Sequence, residues 1–171
     1  YPRVRLFLND SLVDERPAGY VQQFKAVFTL PYQAGTLRAV GVDENGIEQE
    51  TVVLKTSGTP VSLRLTTQDQ TIKADGQDLS HITINLIDSD GNPVQTDDRK
   101  VTVKIEGDGK FLGIDNGDLR RQKSFAGNEL NTYFGKALVV VQSTRKAGKM
   151  KVYMTVEGIE ENYIIEIDTD I

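Results

Sequence analysis

Ile82-Thr83-Ile84-Asn85-Leu86-Ile87-Asp88-Ser89-Asp90-Gly91-Asn92-Pro93-Val94 is the stretch that decides the fold. Ile82, Ile84 and Leu86 recur at every second position, with Thr83 and Asn85 between them. That period puts aliphatic side chains on one face of a strand and polar ones on the other. The run stops at Asp90-Gly91-Asn92-Pro93, four residues of turn chemistry. A strand that is half buried and then turns sharply is the repeating unit of an antiparallel sandwich.

The same rhythm extends outward in both directions. Val61 to Leu65 precedes it, and Val101 to Ile105, Ala137 to Gln142, Met150 to Val156 and Tyr163 to Ile167 follow. Asp75-Gly76, Gly107-Asp108-Gly109, Asn116-Gly117-Asp118 and Ala147-Gly148 punctuate them. Leu119 to Thr132 shows neither period clearly and reads as a long surface loop with a short strand near Phe125. Nearer the start, Val4 to Leu8 reads as a strand closed by Asn9-Asp10, and Phe24 to Phe28 alternates cleanly. Leu37 to Val42 and Ile47 to Leu54 flank Asp43-Glu44-Asn45-Gly46, where Asn-Gly suits a tight hairpin turn. Lys55-Thr56-Ser57-Gly58-Thr59-Pro60 has no period and reads as a linker. No window carries a capped helical period.

These elements predict an all-β chain. Residues 59–171 have enough strands for a complete immunoglobulin-like β-sandwich. Residues 1–58 have only four or five strands and read as a smaller, truncated β-sandwich. The chain opens within a strand at Tyr1-Pro2-Arg3 without an initiator Met, so the expectation is a piece of a longer protein. The missing signal peptide then says nothing about export. A truncated sheet leaves an edge unpaired, so the first part is expected to lean on the second or on a neighbouring chain.

Composition removes several function classes. The 171 residues are 38% hydrophobic and 26% charged, which is enough to bury a core. The net charge is −5, with six Lys/Arg and seven Asp/Glu before residue 59 and fourteen and eighteen after it. Neither part has the basic patch that a phosphate backbone requires, so nucleic acid is not an expected partner. There is no cysteine, and hence no disulfide, thiolate metal site or cysteine nucleophile. No apolar run is long enough to span a membrane as a helix.

A family resemblance adds to this reading. Val4-Arg5-Leu6-Phe7-Leu8-Asn9-Asp10-Ser11-Leu12 resembles the strand and hairpin of the domain that follows the catalytic barrel in family 2 glycoside hydrolases. Pro31, Gly35-Thr36-Leu37-Arg38-Ala39-Val40-Gly41 and Lys55 to Pro60 are similar to later segments of that domain, in order and spacing. Ala74-Asp75-Gly76-Gln77-Asp78-Leu79-Ser80 with Ile82 to Val94 resembles the signature of bacterial Ig-like domains. Gly107 to Asp118, ending in Asp115-Asn116-Gly117-Asp118, is similar to the glycosidase version of that domain. Gly135 to Thr144 and Ala147-Gly148 complete it. The best match is to β-galactosidase-type members of gut Bacteroidetes with an extra C-terminal Ig-like domain. The resemblance implies an upstream catalytic barrel in the same chain as partner, an exported, periplasmic or cell-surface location, and oligomers formed through the parent enzyme. It carries no catalytic residue onto this chain, because the family's acid and nucleophile belong to the barrel.

The residues themselves offer few sites. Glycosidases need two carboxyl groups at a fixed separation, whereas the acidic pairs here, Asp14-Glu15, Asp43-Glu44, Asp97-Asp98 and Glu160-Glu161, read as turn residues. No catalytic residue, cofactor site or metal site is expected. Asp88-Ser89-Asp90-Gly91-Asn92 looks like the start of a calcium loop but has Gly at position four and Arg99 at position twelve, where such a loop needs Gly at six and Glu at twelve. His81, the sole histidine, has no apparent partner. Trp, the usual sugar platform, is absent. Phe7, Phe24 and Phe28 read as core, while Tyr20, Tyr32, Tyr133 and Phe134 fall near turns and are the candidate carbohydrate contacts. The expected function is a non-catalytic accessory module of a glycoside hydrolase acting on oligo- or polysaccharides. A carbohydrate-binding module would instead show clustered exposed aromatics on one face. An adhesin-type stalk would require further Ig-like repeats upstream and no barrel.

Overall fold

The computed structural model describes residues 1–120 and 124–171, in two units, Tyr1–Thr56 and Ser57–Ile171. In the first unit, β1 (Arg3–Leu8) turns back into β2 (Ser11–Pro17) through Asn9 and Asp10, both at positive φ (49° and 63°). Two left-handed residues in succession make the primed turn whose twist matches a hairpin, and Asn and Asp are the non-glycine residues that tolerate it best. Strands β3 (Thr36–Val42) and β4 (Glu48–Lys55) complete an antiparallel sheet in the order β2-β1-β3-β4.

The β3–β4 turn differs from its sequence reading. Only Gly46 takes a positive φ (84°). The Asp43 carboxylate accepts the amides of Asn45 and Ile47 (2.9 and 2.8 Å), and Asn45 has no positive φ. The primed two-residue turn of this unit is therefore at Asn9-Asp10, and Asn45-Gly46 does not form one.

Register sorts the sheet into two faces. Arg3, Arg5 and Phe7 stand opposite Val42, Val40 and Arg38. On this face Glu15 accepts from Arg3 (2.9 Å) and Arg5 (2.6 Å), Arg5 reaches Glu48 (3.2 Å), and the Arg38 guanidinium lies 4.0 Å above the Phe7 ring. The other face carries Val4, Leu6, Leu8, Ala39 and, on β4, Val52 and Leu54. Every residue of β4 is exposed.

The segment Phe24 to Phe28 is a correction to the sequence reading. It forms no strand; a 3₁₀ turn at Tyr20–Gln22 leads through Gln23 and Phe24, both at positive φ, into a stretch without ladder bonds. Phe24 is exposed rather than core, and Phe7 and Phe28 are half-buried, each under an arginine.

The second unit is a two-sheet sandwich. One sheet pairs β5 (Ser62–Thr66), β7 (Leu79–Ile87), β11 (Lys136–Ser143) and β9 (Gly109–Asp115) in the order β5-β7-β11-β9. The other contains β6 (Thr71–Lys73), β8 (Lys100–Gly107), β10 (Glu129–Asn131), β12 (Gly148–Val156) and β13 (Ile159–Asp170), ordered β10-β8-β12-β13-β6. All pairings are antiparallel except β13 with β6. Ile82, Ile84 and Leu86 of β7 and Val139 and Val141 of β11 point inward, as do Met150, Val152 and Met154 of β12, every one fully buried. Period two in the sequence thus becomes a period of burial, and both inner faces feed one core.

The short strand expected near Phe125 is instead at Glu129–Asn131, and Phe125 lies in a turn. Residues 121–123 of that loop lie outside the described residues. The flanking segment ties two sheet edges together. The Ile114 amide donates to the Phe125 carbonyl (2.9 Å), and the Val103 amide donates to that of Asn128 (2.8 Å). Gly113 permits this, since a Cβ there would lie 2.8 Å from the Phe125 carbonyl oxygen.

Candidate functional site

The four candidate aromatics divide between the units. Tyr20 and Tyr32 are more than four-fifths exposed in the first, and Tyr20 meets Phe24 edge-to-face at 6.1 Å. In the second, Tyr133 and Phe134 are 4.5 Å apart, centroid to centroid. Phe134 is exposed, whereas Tyr133 is half-buried and less available than its place near a turn implied.

The Tyr133–Phe134 pair sits on a two-residue hairpin turn that launches β11. The Tyr133 amide donates to the Lys136 carbonyl (2.9 Å) and the Lys136 amide to that of Tyr133 (3.1 Å). Phe134 (φ 49°) and Gly135 (φ 68°) occupy its two central positions. Gly135 is needed twice over: a Cβ would fall 1.8 Å from the Val94 carbonyl oxygen, and the φ is left-handed. Phe134 has no such licence, and an aromatic residue held left-handed and exposed costs stability.

Residues the sequence reading did not single out complete this patch. The Arg120 guanidinium lies 5.6 Å from the Tyr133 ring and donates two hydrogen bonds to the Asp118 carboxylate (2.8 and 3.0 Å). Asn116 donates to the Asn131 carbonyl (2.9 Å) and accepts the Asp118 amide (3.0 Å). The Arg120 side chain holds the Asp118 carboxyl below its ordinary pKa. Ring faces beside a carboxylate and a guanidinium suit a hydroxyl-rich ligand, with the Phe134 ring as the exposed platform. The sequence signal was Asp115-Asn116-Gly117-Asp118, but only the fold brings it beside Tyr133.

The carboxylates are arranged for structure. Asp14 and Glu15 lie in β2 and Glu160 and Glu161 in β13, so these pairs are not turn residues. Arg16 holds the Asp14 carboxyl low and Arg5 holds that of Glu15 low. Lys104 does the same for Glu106 and Lys151 for Glu166. A glycosidase proton donor needs the opposite shift.

The calcium-like loop is a hairpin turn organised by Asp88. Its Oδ1 accepts the amides of Asp90 (3.0 Å) and Asn92 (2.8 Å), and its Oδ2 accepts the Gly58 amide (2.8 Å). The Gly58 amide is the largest influence drawing its pKa down to about 2. Among the described residues no three His, Asp or Glu side chains converge to hold a metal ion. His81 is exposed on β7 and lines a shallow cleft with Thr66, Thr67, Gln68, Asp69 and Thr83.

The fold and these surfaces define a class, an Ig-like sandwich preceded by a smaller β-unit. A family model described as glycoside hydrolase family 2 C-terminal domain 5 matches residues 63–165, and one described as a domain of unknown function (DUF4982) matches residues 1–50. The chain belongs to glycoside hydrolase family 2, as part of its C-terminal region. It is 31% identical over 130 residues to Beta-galactosidase BoGH2A of Bacteroides ovatus, covering 76% of this chain and 15% of that protein. It is 28% identical over 134 residues to a Beta-galactosidase of Thermoanaerobacter pseudethanolicus, covering 78% and 16%. The crystal structure of a glycosyl hydrolase family 2 member from Bacteroides cellulosilyticus superposes with a TM-score of 0.92 at 32% identity, over 99% of this chain and 22% of that one. The chain thus spans about a sixth of the length of these curated relatives.

Proposed function

We propose that this chain is a non-catalytic accessory module of a β-galactosidase-type family 2 enzyme that acts on oligo- or polysaccharides in the bacterial periplasm or at the cell surface. The observation that carries the reading is the state of its carboxylates. The acids whose pKa the fold shifts are drawn down by arginine, lysine or backbone amide partners. Such groups hold strands and turns in place and are poor proton donors at neutral pH. In the parent enzyme the catalytic pair then belongs to the upstream barrel, and this module buttresses it.

The test compares the isolated chain with the full-length parent on nitrophenyl β-galactopyranoside. Hydrolysis by the parent and a buffer-level rate for the isolated chain are expected. Turnover by the purified isolated chain overturns the reading. Export is tested by locating the parent in cell fractions.

A second reading, direct glycan contact, is favoured by Phe134, an exposed aromatic held at a left-handed φ. It predicts calorimetric heat on titration with galactose-containing oligosaccharides and loss of that heat in Phe134→Ala. Flat titrations with the unaltered chain sink it.

A further inference from the structure

We propose that Asn45 is a site of spontaneous covalent modification: in the folded chain its side chain closes onto the Gly46 amide, releases ammonia and becomes aspartate or isoaspartate, while Asn116 is held inert. The chain has two Asn-Gly pairs, Asn45-Gly46 and Asn116-Gly117. A glycine after the asparagine leaves the attacking nitrogen without a side chain to shield it. The Gly46 amide nitrogen loses its proton to solvent and attacks Cγ of Asn45. The N–Cγ bond forms, the Cγ–Nδ2 bond breaks, and ammonia leaves with a proton supplied by water. Water then opens the cyclic imide at either carbonyl, giving aspartate or isoaspartate.

The fold treats the two pairs differently. The Asn116 Nδ2 donates to the Asn131 carbonyl (2.9 Å), and its Oδ1 accepts the Asp118 amide (3.0 Å). Both ends of its amide group are tied, and the residue is half-buried. Asn45 is exposed, and among the described residues its side chain has no hydrogen-bond partner. Only its backbone amide is engaged, by the Asp43 carboxylate (2.9 Å). The Gly46 amide donates to the Asp43 carbonyl at 3.1 Å, toward the long end of the range for such bonds. Closure at Asn45 breaks that one hydrogen bond, whereas closure at Asn116 breaks two.

Charge favours the same residue. The Arg3 guanidinium donates to the Asp43 carbonyl (3.3 Å), and its Nη2 lies 3.8 Å from where a Cβ on Gly46 would stand. A cation there stabilises the deprotonated amide and the oxyanion that develops on Asn45 as the nitrogen attacks. Glu15, paired with Arg3 at 2.9 Å, and the Asp43 carboxylate, shared among the Asn45, Ile47 and Gln49 donors, moderate that field without removing it. Among the described residues, no atom beyond the chain neighbours lies within 4 Å of the corresponding point on Gly117.

The product alters the turn. The Asp43 amide donates to the Ile47 carbonyl (3.0 Å), closing the loop that sets Val42 opposite Glu48. Isoaspartate adds a methylene to the backbone inside that loop. Either product adds a carboxylate to a stretch that already holds Asp43, Glu44 and Glu48. Both changes loosen the β3–β4 hairpin.

Peptide mapping by mass spectrometry tests this, on the 171-residue chain aged in mildly alkaline buffer with and without urea. In urea the two asparagines are expected to convert at similar rates. Without urea Asn45 is expected to convert about tenfold faster than Asn116, the effect of one fewer hydrogen bond broken on the way to the imide. An isoaspartyl methyltransferase should then label the peptide that holds residue 45. Arg3→Gln should slow conversion at Asn45 and leave Asn116 unchanged, whereas a merely structural role for Arg3 would loosen the turn and speed it. Equal rates in the folded chain, or faster conversion at Asn116, overturn the proposal. So does an Asn45 that stays intact through ageing that converts both residues in urea. Faster conversion in Arg3→Gln overturns the part assigned to Arg3.

Discussion

Among the described residues, four hydrophobic side chains are buried in the first unit, Leu6, Ala18, Val40 and Val42, against eighteen in the second. Exposure runs the other way. Of the large exposed hydrophobic residues among those described, twelve belong to the first unit and seven to the second, although the second is twice as long. Both units use antiparallel strands, tight turns and ion pairs at their surfaces. What separates them is the number of layers. The second unit has two sheets whose inner faces bury each other, whereas the first has one sheet. A sheet with one apolar face gains its stability only from a second layer. The first unit therefore depends on what covers it, and its ion-pair lattice of Arg3, Arg5, Glu15 and Glu48 does not replace a core, since ion pairs that stay in reach of solvent contribute little.

The largest expected effect tests that contrast directly. Leu86→Ala, at a fully buried site, should destabilise the second unit by about 3–5 kcal/mol in urea unfolding. Leu6→Ala, in the small core, should cost the first unit nearer about 2 kcal/mol, because its site can collapse or hydrate. Equal losses would mean the first unit holds a core of its own.

The primed turns sharpen the comparison next. Asn9-Asp10 in the first unit fits its geometry; Phe134-Gly135 in the second fits only at the glycine. Gly135→Ala should cost the second unit about 1–3 kcal/mol, from the left-handed φ and the approach to the Val94 carbonyl. Phe134→Asn should instead raise its stability by about 1 kcal/mol, because Asn tolerates that conformation. A lower melting temperature for Phe134→Asn would show that the ring makes a folded-state contribution larger than its strain.

The last contrast is one of pH. Asp43 and Asp88 organise corresponding hairpin turns in the two units through backbone amides, and both carboxyls are held below their ordinary pKa. A folded pKa below the unfolded one adds stability that is fully present above the unfolded value and is lost as pH falls through the folded one. For Asp88 the window runs from its ordinary 3.8 down to about 2. The second unit should lose stability across that interval, and Asp88→Asn should flatten the slope there. An unchanged slope in the variant would remove Asp88 from the acid transition.

Much of the second unit was legible in the sequence because most of its long strands carry their own address; β9 (Gly109–Asp115), where the adjacent Gly113 and Ile114 are both buried, breaks the alternation and was not expected. In Ile82-Thr83-Ile84-Asn85-Leu86 the inward residues are aliphatic and the outward ones polar, so local pattern and global burial agree. Short elements were not legible. Thr71–Lys73 and Glu129–Asn131 have three residues each, too few for a period, and exist because an edge was there to receive them. Phe24 to Phe28 failed for the opposite reason: it has the pattern of a strand, but pairing takes two partners and the described chain offers it none.

The candidate surface divides along the same line. Sequence alone marked Tyr133 and Phe134 as aromatics near a turn and Asp115-Asn116-Gly117-Asp118 as a family signature. It could not join them, since residues so separated in the chain become neighbours only when β9 and β11 pair. The sequence by itself determined the all-β class and most strands of the second unit's sandwich, because alternation and turn chemistry are local properties of the chain. Only the tertiary structure decided which aromatics are exposed, which carboxylates are tied down and which expected strand does not form. Burial, hydrogen bonding and pKa depend on what lies across space from a residue, and a linear pattern does not record that.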